Sequence, residues 1–155
     1  MVIQRWQTVL LFIAAAVMAC FTFMSLGQVQ TPDITLNFTS LGFYQEGEPT
    51  NGVAPLEIHT WYFFMLSLTT IVILLIDIFL FKNLRLQQRI CQVAILFIVA
   101  DACVGGLLGF RAIEGYPVSW STVALCPFIA IFCAVFAYYR MATDYALLKA
   151  ADRLR

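Results

Sequence analysis

The sequence predicts an all-α membrane protein, a bundle of four transmembrane helices in a single domain that covers residues 1–155. Of the 155 residues, 62% are hydrophobic and 12% are charged, and the mean hydropathy is +0.87. Soluble globular domains carry roughly 25% charged residues, so the composition excludes that class. Four stretches each supply the roughly 20 apolar residues that a helix needs to cross a bilayer. They cover residues 6–27, 58–81, 90–110 and 120–139.

The positions of lysine and arginine predict which side of the membrane each loop occupies, because cytoplasmic loops retain an excess of these residues. Of the nine in the chain, only Arg111 falls on one side of the predicted bundle. On the other side lie Arg5, Lys82, Arg85, Arg89, Arg140, Lys149, Arg153 and Arg155. We therefore expect both termini in the cytoplasm. The formal net charge is zero, so we expect no binding to nucleic acid.

The first span, residues 6–27, leads into a polar outer loop, residues 28–57. Prolines in this loop exclude one continuous helix. Ile34, Leu36 and Phe38 alternate with polar residues, which is the pattern of a half-buried strand, and the alternation then shifts phase. This favours a two-stranded ribbon or a bulged strand at the outer mouth of the bundle, with an irregular loop as the alternative.

Two carboxylates lie inside predicted spans, where each is costly unless it is protonated, paired or hydrated. Asp77 lies near the inner end of the second span, within reach of interfacial water or of Lys82. Asp101 lies near the middle of the third span, roughly 10 Å from Asp77 along the membrane normal, which is too far for an acid–base pair. Three roles stay open for Asp101. It fixes helix register through a hydrogen bond, handles a proton or cation, or meets a charged residue of another subunit.

Small residues in the third and fourth spans predict close helix packing. Asp101, Gly105 and Gly109 share one helix face, and a Gly-xxx-Gly notch lets another backbone approach closely. The fourth span carries a reciprocal alanine stripe. We therefore expect the third span to make the most extensive helix contacts. The residues predicted at packing surfaces are Gly105, Gly106, Gly109, Ala130 and Ala134.

The fourth span contains Pro127, which predicts a kink. It leads into a tail, residues 140–155, in which apolar residues repeat at helical spacing among basic ones. A helix that leans on the cytoplasmic headgroups and a docking surface for a partner both fit this pattern. The candidate interaction residues on this side are Arg5, Lys82, Arg85, Arg89, Arg153 and Arg155.

The reactive residue types occur in patterns that do not favour catalysis. All five cysteines fall in predicted spans or at the inner boundary, without a Cys-x-x-Cys pair. His59 is the only histidine, so the chain lacks two histidine ligands for a haem, and a zinc site would need thiolates or carboxylates that converge on His59. No phosphate-binding glycine loop or nucleophile elbow occurs. We expect no enzyme activity, no cofactor and no metal.

Three segments carry a family resemblance: Met1–Val9 (MVIQRWQTV), Phe81–Arg89 (FKNLRLQQR) and Ala150–Arg155 (AADRLR). In these the chain resembles a family of small four-helix inner-membrane proteins of unknown function found in Bacteroidota. The resemblance implies the four-helix topology and a bacterial inner-membrane location. It implies no catalytic residue.

Together these observations favour a non-enzymatic accessory or structural subunit that packs with a larger inner-membrane assembly. Its expected partners are the lipid bilayer and other membrane-protein subunits. The alternative is a small transporter or proton-coupled sensor, which requires a hydrated cavity that reaches Asp101. An enzyme acting on lipid or quinone would have only Glu57, His59 and Glu114 at the outer interface, and is disfavoured.

Overall fold

The computed structural model describes residues 3–31, 34–46, 58–80, 83–111, 116 and 118–153, with the backbone alone at residues 3–5, 46, 148 and 151–153. Within these residues the fold is mostly helical, with a small antiparallel sheet. The helices are α1 (Ile3–Phe23), α2 (Trp61–Phe79), α3 (Leu84–Arg111) and α4 (Cys126–Arg153), the last preceded by a 3₁₀ turn at Thr122–Leu125. All four helices are long and apolar enough to cross a membrane, which indicates a multi-pass membrane protein.

The helices form a ring in which each one packs against two neighbours, in the order α1, α2, α3, α4 and back to α1. The buried positions explain this arrangement. On α3 they include Gln87, Cys91, Ala94 and Ile98, alternating steps of four and three that keep one face toward the partners, as in four-helix bundles. The most extensive interface joins α1 and α4 rather than involving α3. Both of those helices bury several alanines, and small side chains let helices approach closely.

The two ends of the bundle differ. The strands follow α1 and α3 and precede α2 and α4, so they all lie at one end, here called the sheet end. The connection between α2 and α3, together with the start of α1 and the end of α4, lies at the opposite end, here called the turn end. The N-terminal and C-terminal helix ends therefore share one end of the bundle.

The helix limits differ from the predicted spans in all four helices. α2 begins at Trp61 and α4 at Cys126, because residues 58–59 and 118–120 form strands. α1 ends at Phe23, because residues 27–30 form a strand instead. α3 begins at Leu84, so most of residues 82–89, predicted as a basic turn between the second and third spans, is helical. The residues of this segment are good helix formers. The backbone carbonyl oxygen of Asn83, the residue before α3, accepts the first helical hydrogen bond from the Gln87 backbone N–H over 2.9 Å. α4 continues without a break to Arg153, so the predicted tail is part of the fourth helix.

Pro127 does not kink the middle of a helix. It lies in the first turn of α4, directly after the 3₁₀ turn. At a helix start the missing proline N–H costs nothing, since that group has no intrahelical partner there. The irregularity expected at Pro127 therefore takes the form of a junction between a 3₁₀ turn and an α-helix.

A five-stranded antiparallel sheet lies at the sheet end, with its strands in the order β4-β3-β2-β1-β5. The strands are β1 (Gly27–Gln30), β2 (Thr35–Thr39), β3 (Gly42–Glu46), β4 (Ile58–His59) and β5 (Val118–Trp120). The predicted ribbon corresponds to β2 and β3. The other three strands were not predicted, and β5 comes from the connection between α3 and α4. Within the described residues, the predicted two-stranded ribbon is therefore part of a larger sheet, and the alternative of an irregular loop is wrong.

Close backbone approach explains two glycines of the sheet. At Gly42, which turns the chain from β2 into β3 with φ of 146°, a Cβ would lie 2.0 Å from the Ile58 carbonyl oxygen. At Gly27 a Cβ would lie 2.8 Å from the Ser119 carbonyl oxygen. Any larger residue at either position would push β4 or β5 away from its neighbour.

One face of the sheet covers the end of the helix bundle. Leu36 and Phe38 are fully buried, and the Phe38 ring stacks on Phe43 at a centroid distance of 4.5 Å. The Ser40 hydroxyl donates to the Thr22 carbonyl oxygen at the end of α1. The alternation of apolar and polar residues in β2 thus reflects a sheet whose apolar face packs on the helix bundle.

Candidate functional site

Asp101 lies in the middle of α3 and faces α2. Its Oδ2 accepts a hydrogen bond of 2.6 Å from the Thr70 hydroxyl, and its Oδ1 accepts one of 3.1 Å from the Ser67 hydroxyl. All three side chains are fully buried. Ser67 and Thr70 are three residues apart and so share the α2 face that meets α3. The chain itself supplies a partner for each carboxyl oxygen.

These contacts bear on the roles considered for Asp101. A hydrogen bond between helices, which fixes their register, corresponds to the observed geometry. A carboxylate that its own chain covers completely is not presented to another subunit. The Thr70 hydroxyl also lies 3.1 Å from the Leu66 carbonyl oxygen, and a hydroxyl donates only one proton. If Thr70 donates to Leu66, a protonated Asp101 can donate to Thr70 in turn, so the geometry accommodates either protonation state.

A second polar cluster lies toward the turn end and consists of Asp77 on α2 with Gln87 and Cys91 on α3. Asp77 is fully buried and Gln87 is 1% exposed. The side-chain nitrogen of Gln87, Nε2, donates to the Asp77 backbone carbonyl oxygen over 3.2 Å. The Cys91 thiol neighbours the Asp77 carboxylate and interacts with it.

This cluster is rich in acceptors and poor in donors. Among the described residues, both carboxyl oxygens of Asp77 and the Oε1 of Gln87 are buried without a hydrogen-bond partner. A buried acceptor without a donor costs about 1–3 kcal/mol. Asp77 points into the core rather than toward the inner surface, and Lys82, which was expected to relieve it, lies outside the described residues. Gln87 was not among the predicted site residues, although the buried spacing on α3, extended by one step toward the start of the helix, reaches it.

An apolar layer separates the two polar clusters. Leu74 is fully buried on α2 between Thr70 and Asp77, and Ala94 and Ile98 are fully buried on α3 between Cys91 and Asp101. No hydrogen-bonded chain links the clusters within the described part of the protein.

Two of the predicted packing glycines meet aromatic rings rather than a helix backbone. A Cβ at Gly105 would lie 3.0 Å from the Phe63 ring, and one at Gly109 would lie 2.2 Å from the Trp120 ring. At Gly106 a Cβ would have no atom within 4 Å. The predicted notch therefore seats two rings, and Gly106 faces open space instead of a packed surface.

The two alanines of α4 that were predicted at packing surfaces lie in the interior of the bundle. Ala130 and Ala134 are both fully buried. The carbonyl oxygen of Ala134 lies 3.5 Å from the Cys91 thiol of α3. A small residue at this position leaves the backbone carbonyl accessible to the neighbouring helix.

A cavity of about 580 Å³ opens between α1, α3 and the start of α4, near the sheet end. Its walls are mostly apolar and include Gly106, Phe110, Trp120 and Phe128. Asp101 does not line it. The transporter alternative requires a cavity that reaches Asp101, and this cavity does not provide one.

The turn end carries exposed basic side chains and a set of polar contacts between helices. Arg85 and Arg89 of α3 are exposed, as are Arg140 and Lys149 of α4. The Arg85 guanidinium donates to the Tyr145 hydroxyl and lies 5.2 Å from the centre of its ring. The side chains of Arg5 and Arg153 and the whole of Lys82 and Arg155 lie outside the described part of the structure.

Two contacts between side chains that the sequence did not predict hold α4 against its neighbours. The Gln7 amide of α1 donates to the Asp144 carboxylate, and the Gln92 amide of α3 donates to the Tyr138 hydroxyl over 3.0 Å. Gln7 is 2% exposed and precedes the buried Leu11 by four residues. The same buried spacing therefore contained the signal for Gln7.

The reactive residues are dispersed. Among the described residues no three His, Cys, Asp or Glu side chains lie close enough together to hold a metal ion. His59 is exposed and makes an edge contact with the Tyr44 ring, at a centroid distance of 6.3 Å. Glu57 and Glu114, the acidic residues considered with it, lie outside the described residues.

Comparison with models of protein families gives a match over almost the whole chain. The family model described as a domain of unknown function, DUF4293, matches residues 3–154. No curated protein matches the chain.

Proposed function

The chain belongs to the DUF4293 family, a domain of unknown function, and on this premise we propose that it is a non-enzymatic accessory or structural subunit of a larger membrane assembly. The proposal places it in the inner membrane of a bacterium, among the Bacteroidota, with both termini in the cytoplasm. Its partners are the bilayer and other membrane-protein subunits.

The separation of charge between the two ends of the bundle supports this orientation. Arg85, Arg89, Arg140 and Lys149 are exposed at or near the turn end, whereas Arg111 closes α3 at the sheet end. Cytoplasmic surfaces carry the excess of basic residues. The turn end therefore faces the cytoplasm, and the sheet faces the opposite compartment.

The observation that carries the subunit role is the exposed basic surface at the turn end, here called the basic surface and defined by Arg85, Arg89, Arg140 and Lys149. The polar side chains of the interior are turned toward other helices, as with Asp101 and Gln7. Among the side chains that the structure describes, the charged ones classed as exposed are all cationic. Charge complementarity then favours an acidic cytoplasmic segment of a partner membrane protein as the occupant.

Site-specific photo-crosslinking in native membranes tests the proposal. A benzophenone amino acid replaces Arg89 on the basic surface or, as the matched control, Ser119, which is exposed in β5 at the sheet end. We expect a discrete adduct with one other protein from position 89 and none from position 119. Lipid adducts alone at position 89, together with a monomer in native membrane discs, would contradict a subunit role.

Charge reversal gives a second readout. Arg89→Glu should reduce recovery of the crosslinked partner at least several-fold, because it places an acidic residue opposite an acidic segment. Arg111→Glu makes the same change in charge at the other end and should leave recovery unchanged. Equal recovery from both variants would show that the basic surface does not bind the partner.

A further inference from the structure

The cavity near the sheet end is a separate feature from the basic surface and lies at the opposite end of the bundle. Four aromatic rings contribute to its walls, those of Phe21, Phe110, Trp120 and Phe128. Its volume of about 580 Å³ falls within the range of roughly 300–1,000 Å³ that is typical of small-molecule pockets. Pockets of this kind bind through apolar walls and orient the ligand through a few polar groups.

The cavity exists because α3 presents small residues at this level. Ala102, Gly105 and Gly106 all line it. The position of a Cβ at Gly106 has no atom within 4 Å. The space beside Gly106 is therefore not occupied by any side chain of the described residues, although Gly105 and Gly109 nearby are tightly packed.

Besides the indole N–H of Trp120, the polar side chains of the described lining residues are the hydroxyls of Ser121 and Thr122. Ser121 precedes the 3₁₀ turn but its side chain makes no capping hydrogen bond there. None of the described residues that line the cavity is charged. The hydroxyls suit an acceptor such as a carbonyl oxygen, and the lack of charge disfavours an ionised head, because burying an unpaired charge is costly.

We propose that this cavity is a binding site for an uncharged, carbonyl-bearing lipid. The apolar chain of the lipid packs against Gly106 and the surrounding rings, and its carbonyl oxygen accepts a hydrogen bond from Ser121 or Thr122. A lipid-soluble quinone and a diacylglycerol share this chemistry. The site lies close to Trp120, whose ring forms part of the wall.

Trp120 supplies the measurement. The chain has three tryptophans, and with Trp6→Phe and Trp61→Phe in place Trp120 is the only one left. Two probes are titrated separately into the full-length protein in detergent. One is a benzoquinone with a short isoprenoid tail, which quenches indole fluorescence. The other is a diacylglycerol with brominated chains, which quench indole fluorescence when a bromine atom contacts the ring. We expect saturable quenching by at least one probe. Saturation by the quinone alone or by the diacylglycerol alone identifies the source of the carbonyl.

Two variants on α3 separate binding in the cavity from partitioning into the micelle. Gly106→Leu fills the open space and should weaken the saturable quenching at least tenfold. It should not disturb the fold, because its Cβ meets no atom within 4 Å. Cys103→Leu places the same side chain on an exposed position outside the cavity lining and should leave binding unchanged.

The hydroxyls are tested by Ser121→Ala combined with Thr122→Val. Since a hydrogen bond contributes a net 0.5–1.5 kcal/mol, the loss should weaken binding by roughly 2-fold to 10-fold. Quenching that does not saturate with either probe, or that is the same in Gly106→Leu and Cys103→Leu, would overturn the proposal. Thermal unfolding of each variant checks that the fold is intact.

Discussion

The Thr70 hydroxyl of α2 lies 2.6 Å from Oδ2 of Asp101 on α3, and both side chains are fully buried. This contact joins two neighbouring helices of the ring near the middle of the predicted third span. In a bilayer such bonds between helices contribute modestly, about 0.6 kcal/mol on average and up to about 1.7 kcal/mol.

A double-mutant cycle measures this contact directly. We expect Asp101→Ala and Thr70→Val each to lower the free energy of unfolding in mixed micelles, and the pair to show a coupling energy of about 1 kcal/mol. Asp101→Asn should cost less than Asp101→Ala, because the amide keeps an acceptor and adds donors for the two hydroxyls. Additive effects of the two substitutions would show that the contact does not stabilise the bundle.

The acceptor-rich cluster at Asp77 predicts the opposite effect of an amide. Asp77→Asn adds two N–H donors near the Gln87 side chain and removes a buried carboxylate that the Cys91 thiol neighbours but to which no described group donates a hydrogen bond of normal geometry. We expect the free energy of unfolding to rise by about 1 kcal/mol. Asp101→Asn is the matched control and should bring no such gain. A loss of stability in Asp77→Asn would mean that the carboxyl group makes a contact that the amide cannot.

The neighbouring glycines of α3 predict a contrast between two identical substitutions. In Gly109→Ala the new methyl would lie 2.2 Å from the Trp120 ring, and overpacking of this kind costs about 1–3 kcal/mol. In Gly106→Ala it meets nothing within 4 Å, and the better helix propensity of alanine should stabilise by up to about 1 kcal/mol. Thermal unfolding of both variants in one detergent checks the order. Equal effects would contradict the packing around Trp120.

The contact between Gln7 and Asp144 predicts that the last part of α4 lies against the start of α1. In a background without the native cysteines, Gln7→Cys with Asp144→Cys should form a disulfide on mild oxidation, since the native side chains touch and oxidation traps the moments when the two Cα atoms come within about 7 Å. Trp6→Cys with Asp144→Cys should not, because Trp6 is 68% exposed and points away. Counting the thiols that still react with a maleimide measures both pairs. Oxidation of the control pair alone would place α4 elsewhere.

The sequence predicted the helical part of this fold well, because apolar length and helical spacing are local properties. The four spans, the buried face of Asp101 and the half-buried strand at Leu36 and Phe38 all follow from such patterns. The limits of the helices were less accurate. The charged residues after the second span predicted a turn, but α3 already begins there, at Leu84. Arginine and glutamine occur in loops and in helices alike, so their presence does not distinguish the two.

Contacts between distant segments could not be predicted. β5 pairs with β1 across a long sequence separation, Gln28 opposite Ser119, and three residues near Trp120 carry too short a pattern to indicate a strand. The glycine spacing suggested a helix–helix notch, but which neighbour fills the notch depends on where the Phe63 and Trp120 rings lie. The cavity beside Gly106 is likewise a property of assembled helices.

The central claim is that four helices cross the membrane with the turn end in the cytoplasm and the sheet outside. Single cysteines at Ser119 and Lys149, both exposed positions at opposite ends, are introduced into the cysteine-free protein and treated in intact cells with a thiol reagent that crosses only the outer membrane. We predict that Ser119→Cys reacts at once and that Lys149→Cys reacts only after the inner membrane is permeabilised. Reaction of Lys149→Cys in intact cells with Ser119→Cys protected, or reaction of both, would contradict the claim.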